Sequence, residues 1–133
     1  MSVRWIAAGA ALFVSSAVVT ARQAPATVFT APQAADGRNV YGRNCASCHM
    51  PDLSGSNDTP PLAGSVFLGT WRARTTRDLF EYLSASMPPG GASLSTESFE
   101  SITAYILEAN GASAGSTPFR ASTAIAIGDL IAR

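Results

Sequence analysis

Cys45-Ala46-Ser47-Cys48-His49 contains both cysteines and the single histidine of a 133-residue chain. Every thiol and every imidazole of the protein therefore lies within five positions, and the rest of the sequence is best read outward from them. A structural zinc site takes four protein ligands, and no further Cys or His exists to complete one. A disulfide across two intervening residues would be strained and would close almost no loop, so it would add little stability. A thiol oxidoreductase would place its C-x-x-C beside a βαβ pattern, and no convincing strand alternation is present.

C-x-x-C-H is the attachment pattern of c-type haem. Positions i and i+3 of a helical turn share a face, so Cys45 and Cys48 can each add a sulfur to one of the two vinyl groups along a haem edge. His49, the next residue, is then aimed at the iron as its proximal nitrogen ligand.

Upstream, residues 1–21 carry one positive charge near the front (Arg4), an apolar run from Trp5 to Val19, and small residues in Val19-Thr20-Ala21. This predicts a secretory signal peptide and hence a periplasmic protein. An uncleaved membrane anchor is the alternative, because the run approaches the roughly 18 residues of a spanning candidate; Ser15 and Ser16 interrupt it. Export suits the cysteine motif, since a thiol pair sent out without a cofactor would oxidise. Residues 22–29 read as a linker, rich in Ala, Pro, Thr and Gln. The fold is expected to begin at Thr30, with Thr30 and Gln33 as a capping box, Pro32 in the first turn and a helix reaching about Cys45. Gly37 inside that helix marks a place where another helix comes close.

Removal of 21 of the 133 residues leaves 112, a single domain by length. Charged residues make up only 14% of the chain, against about 25% in ordinary domains. All nine basic residues are Arg and the formal charge is zero, which argues against a nucleic-acid partner and against strong electrostatic steering.

Downstream of the motif, residues 50–69 have no helical period and are dense in Pro, Gly, Ser, Asn and Asp, so they read as a loop wrapped round one side of the haem. Pro60-Pro61-Leu62-Ala63-Gly64 stands out within it. A short helix follows from 75 to 86, capped by Thr75 with Asp78 three residues on and with Leu79, Phe80 and Leu83 inward. It ends at Met87-Pro88-Pro89, because a residue before proline is pushed out of the helical region.

A helix ending in C-x-x-C-H, a loop with P-x-L-x-G and a later Met-Pro, in that order, resembles the class I cytochromes c over about residues 30–111. The chain is similar in particular to the small haem domains that accompany bacterial quinoprotein dehydrogenases. The resemblance implies an all-α fold with three principal helices around one covalent haem c, and one-electron transfer as the function. It implies that the Pro60 carbonyl accepts a hydrogen bond from His49, which fixes the ring. It also implies that Trp71 donates its indole N–H to a propionate, with Arg74 or Arg72 as a charge partner. Among three methionines, Met1 leaves with the signal and Met50 adjoins the histidine. Met87 remains as the sixth ligand, where the family has its distal methionine. Met50 stands where the family commonly has Gly, which leaves the local turn in question.

A last clear helix runs from 95 to 110, capped by Ser95 and stopped at Gly111, with Phe99, Ile102, Tyr105, Ile106 and Ala109 on one face. In the family it crosses the first helix, which pairs Tyr105 with Gly37. Residues 112–133 form an extension that can dock, meet a partner or stay disordered. The resemblance suggests a quinoprotein dehydrogenase as electron donor and an oxidase or another cytochrome as acceptor. Two other classes stay open: a five-coordinate haem enzyme or gas sensor in which Met87 only packs, and a haem-free thiol oxidoreductase.

Overall fold

The computed structural model describes residue 1, residues 24–90 and residues 94–131. Apart from residue 1, the expected signal segment lies outside the described residues. Among the described residues there are six helices and no strand, only three isolated bridges between loop segments. The all-α expectation holds; the three principal helices become four of eight residues or more and two single turns.

Helix α1 (Ala31–Asn44) starts at Thr30, whose hydroxyl accepts the Gln33 N–H at 3.4 Å, with Pro32 in the first turn. The Gln33 side chain does not turn back to complete a capping box. It reaches across to Phe119, donating through Nε2 to the carbonyl (3.0 Å) and accepting the amide through Oε1 (2.7 Å). A long-range backbone pair outcompetes the local one. Cys45 then breaks the helix and α2 (Ala46–His49) forms a single turn.

Helix α3 (Gly64–Trp71) is a correction to the loop expected there. Gly64 and Gly69 lower its intrinsic propensity, so the local pattern is weak. The helix exists because Phe67 and Trp71, one turn apart, are both buried with rings stacked at 6.2 Å. Helix α4 (Thr76–Ser86) opens with the complete capping box expected of Thr75 and Asp78. Helix α5 (Thr96–Ala109) is capped by Ser95, whose hydroxyl accepts the Ser98 N–H at 3.2 Å. Helix α6 (Ile127–Leu130) is one turn in the extension.

Helices α1 and α5 cross at Gly37. A Cβ there would run into the Ser101 carbonyl and lie 3.0 Å from Tyr105 Cβ, so the backbones meet where only glycine fits. Tyr41 and Tyr105, with rings 5.3 Å apart, extend the contact. α5 is buried from Phe99 through Ile102, Thr103, Ala104, Tyr105, Ile106 and Leu107, more than the one face that periodicity expects, because the extension covers its other side.

That extension docks. Phe119, Ile127 and Leu130 are completely or almost completely buried. Glu100, a carboxylate only 5% exposed, accepts the Ala121 N–H at 2.8 Å and pairs with Arg120 at 3.2 Å. At the other end of the chain Val28 and Phe29 are already in the core, and the Phe29 carbonyl accepts the Gly115 N–H at 2.7 Å.

Two substitutions on one helix test the crossing. Gly37→Ala should destabilise by at least about 2 kcal/mol through overpacking, while Gly42→Ala, with open space at its Cβ, should stabilise by about 0.5–1 kcal/mol. Thermal unfolding midpoints that move in opposite directions are the expected result.

Candidate functional site

The cysteine motif makes its own turn. The Cys45 carbonyl accepts the N–H groups of Cys48 (3.1 Å) and His49 (3.0 Å). Cys45 is half-buried, Cys48 exposed and His49 buried. Burial, followed by the neighbouring Cys48, pushes the Cys45 thiol above its ordinary pKa.

After His49 the chain reverses sharply. Met50 takes φ 64° and ψ 153°, a conformation that is almost confined to glycine. Its carbonyl is held by the Tyr41 hydroxyl at 2.6 Å and by the Leu53 N–H at 3.1 Å. Burial and nearby acidic groups raise the Tyr41 phenol further, so it stays a donor. Gly55, at φ 71°, donates to the His49 carbonyl at 3.0 Å; a Cβ on it would collide with the Thr59 carbonyl and sit 2.7 Å from Pro61 N. This reversal brings the Pro60 carbonyl to 2.9 Å from His49 Nδ1. A carbonyl can only accept, so Nδ1 carries a proton, which in the neutral imidazole leaves the lone pair on Nε2.

Two cavities adjoin, one of about 190 Å³ and one of about 250 Å³, with His49, Pro60, Leu62, Leu83 and Met87 in the walls of both. Each alone is below the roughly 300–1,000 Å³ of small-molecule sites; joined, they fall within that range. Cys45, Cys48, Ile102 and Ile106 line the first, and Phe67, Trp71, Leu79 and Arg74 line the second. Met87 caps α4, its N–H on the Leu83 carbonyl at 3.0 Å, and is half-buried. The Arg74 guanidinium lies over the Trp71 ring at 5.1 Å, and Tyr82 approaches the same ring at 5.5 Å. The structure thus brings together Cys45, Cys48, His49, Pro60, Trp71, Arg74 and Met87 around one space. Arg72, the other arginine considered, lines neither cavity.

The donor set fits covalent haem c. Two thiols stand at one end, an aromatic N–H and a guanidinium at the other, and an imidazole and a thioether share the wall between. Most of the remaining wall is apolar, as a flat macrocycle requires, with Asn44, Asp58, Thr59 and Thr70 among the polar exceptions. Among the described residues no three His, Cys, Asp or Glu side chains gather as a separate metal cluster.

Residues 32–106, more than half of the chain, match the family described as cytochrome c oxidase, cbb3-type, subunit III. The chain belongs to this family of c-type cytochromes. The cytochrome is 33% identical over 90 residues to cytochrome c-554(547) of Halothiobacillus neapolitanus, covering 57% of this chain and 96% of that protein. Its fold is similar to that of a chain in the crystal structure of the sulfane dehydrogenase SoxCD from Paracoccus pantotrophus, with a TM-score of 0.51 at 24% identity. That match covers 71% of the cytochrome and only 59% of the other chain, and is a likeness of fold. As a c-type cytochrome, this chain is an electron-transfer protein. Among the described residues no helix is long and apolar enough to cross a membrane.

Asn110, which the sequence marks only as a helix end, has a larger part. Its Oδ1 accepts the Gly64 N–H at 3.0 Å and its Nδ2 donates to the Leu62 carbonyl at 2.9 Å, so α5 anchors the strip that presents Pro60. Asn110 follows Glu108 and Ala109 at the end of α5 and also donates to the Ile106 carbonyl at 2.8 Å, but nothing local names its distant partners.

Met50→Gly should relieve most of the turn's strain and stabilise the protein by about 1 kcal/mol net of the added chain entropy; a lower thermal midpoint would contradict this. Asn110→Ala should cost about 1–2 kcal/mol and speed hydrogen exchange at Gly64, because the Gly64 N–H and the Leu62 carbonyl lose their partner.

Proposed function

We propose that this cytochrome is a periplasmic one-electron carrier in which haem c is joined to Cys45 and Cys48 and bound axially by His49 Nε2 and Met87 Sδ. The observation that carries the reading is the His49–Pro60 hydrogen bond. It leaves Nε2 as the free donor of a buried ring whose cavity wall is shared with the only methionine sulfur there. When bound, the haem supplies an iron that holds or releases one electron.

The rest follows from the side chains. Met87 Sδ would hold the iron together with His49, which would leave no open position for water or a substrate. A histidine and methionine pair raises the reduction potential relative to other axial sets. Leu62, Leu83, Ile102 and Ile106 make much of the wall apolar, which disfavours the more highly charged oxidised form, while Asp58 in the same wall acts in the opposite sense. Trp71 and Arg74 are suited to answer propionates. Cys48 is exposed while His49 is buried, so a partner can approach the attachment edge without opening the cavity. With zero net charge and few ionised groups, weak and transient contacts with redox proteins are the expected mode. The cbb3-type match and the resemblance to quinoprotein-associated domains name the classes to try: an oxidase or another cytochrome as acceptor, a dehydrogenase as donor.

The thiol oxidoreductase alternative is opposed by the fold, because such a C-x-x-C sits beside a βαβ pattern and among the described residues there is no strand. The five-coordinate alternative is separated by carbon monoxide. Reduced wild-type protein carrying haem should bind it slowly or not at all, whereas reduced Met87→Ala should bind it promptly and, once oxidised, should lack the thioether-to-iron absorption band. Prompt binding by the wild type, with no change on substitution, would reject Met87 as a ligand.

A further inference from the structure

We infer that the C-terminal extension is a positioning brace for the Trp71 and Arg74 end of the cavity, through which residues 123–128 influence the reduction potential. This rests on the haem reading above. Four residues, Arg72, Ala73, Arg74 and Thr75, connect α3 to α4 and carry the guanidinium that lies over the indole. Within this turn the Arg74 N–H reaches the Trp71 carbonyl at 2.9 Å. Two of the turn's carbonyls are gripped from outside: Gly128 N–H donates to Arg72 O and Ile127 N–H to Arg74 O, each at 2.9 Å.

Thr76, fully buried at the start of α4, completes the grip. Its N–H donates to the Ile125 carbonyl at 2.9 Å, and its hydroxyl donates to the Thr123 carbonyl at 2.7 Å while accepting the Ile125 N–H at 3.3 Å. The brace is itself fixed. Ile127 and Leu130 are sunk in the core, and Gln33 and Glu100 hold the extension farther back at Phe119 and Ala121. Gly128 lies so close that a Cβ on it would meet Arg72 Cγ and Arg72 O, each at 3.0 Å.

The physical consequence is electrostatic. Arg74 is exposed, so water already screens part of its charge, and its distance from the cavity sets what remains: a guanidinium held at the cavity's end favours the reduced, less positive state of whatever the cavity binds, and a turn free to swing outward carries that charge away. Residues 123–128 are positioning residues, since they touch the turn and neither cavity lining includes them.

The test uses full-length protein carrying covalent haem. Gly128→Ala pushes on the turn, Arg74→Gln gives the full loss of the charge, and Gln33→Ala weakens the extension at its far end. Reduction potential is measured beside hydrogen exchange at the Thr76 and Ile127 amides. Gly128→Ala should shift electron exchange with a reference carrier several-fold toward the oxidised form, with faster exchange at Ile127. Combined with Arg74→Gln it should add nothing further. Gln33→Ala should lower the thermal midpoint and leave the potential alone. Should Gly128→Ala not fold, Thr76→Val reads the same grip, and Thr76→Ser, which keeps the hydroxyl, should restore the wild-type potential. A wild-type potential in Gly128→Ala, despite lost protection at Ile127, would overturn the brace alone. A wild-type chain with no covalent haem would overturn the carrier reading and the brace together.

Discussion

The hydrogen bond from His49 Nδ1–H to the Pro60 carbonyl is the constraint on which the site depends. It decides which ring nitrogen is protonated, which nitrogen is free, and where the ring points. Such a bond is short in sequence but not local in origin. It needs a chain that doubles back within eleven residues, through a Met50 in a conformation that favours glycine and a Gly55 with no room for a side chain. The turn is held from above by the Tyr41 hydroxyl and from below by Asn110, so α1 and α5 each hold one side of the loop.

This makes α5 the organising element. Its crossing with α1 at Gly37 sets the position of the helix that ends in the cysteine turn. Ile102 and Ile106 form cavity wall, and Asn110 fixes the strip leading to Pro60. The same helix receives the extension through Glu100 on its outer side. A helix with duties on every side explains why apolar periodicity understates its burial.

Much of this was legible in the chain because it rests on local chemistry. The cysteine motif, the caps at Thr30, Thr75 and Ser95, and the stop at Met87-Pro88 each need only neighbours in sequence. What was not legible depends on distant partners. Helix α3 has weak propensity and is sustained by the buried Phe67 and Trp71 and by the Asn110 clasp on Gly64. Gln33 matches a capping box by pattern and is drawn away by Phe119. The sequence left open whether the extension docks, because its order comes from Arg72, Arg74, Thr76 and Glu100, none of which advertises a backbone partner in its own segment. Met50 was visible as an oddity, and its positive φ shows why glycine would suit the place better.

The central claim is that His49 presents Nε2 because Pro60 holds Nδ1–H, with Met87 opposite. Proton NMR of the reduced protein carrying covalent haem tests it most directly. The account predicts a slowly exchanging His49 Nδ1 proton and a Met87 methyl resonance displaced far upfield by the porphyrin ring current. An Nδ1 proton in rapid exchange with water, or a Met87 methyl at its ordinary position, would contradict it.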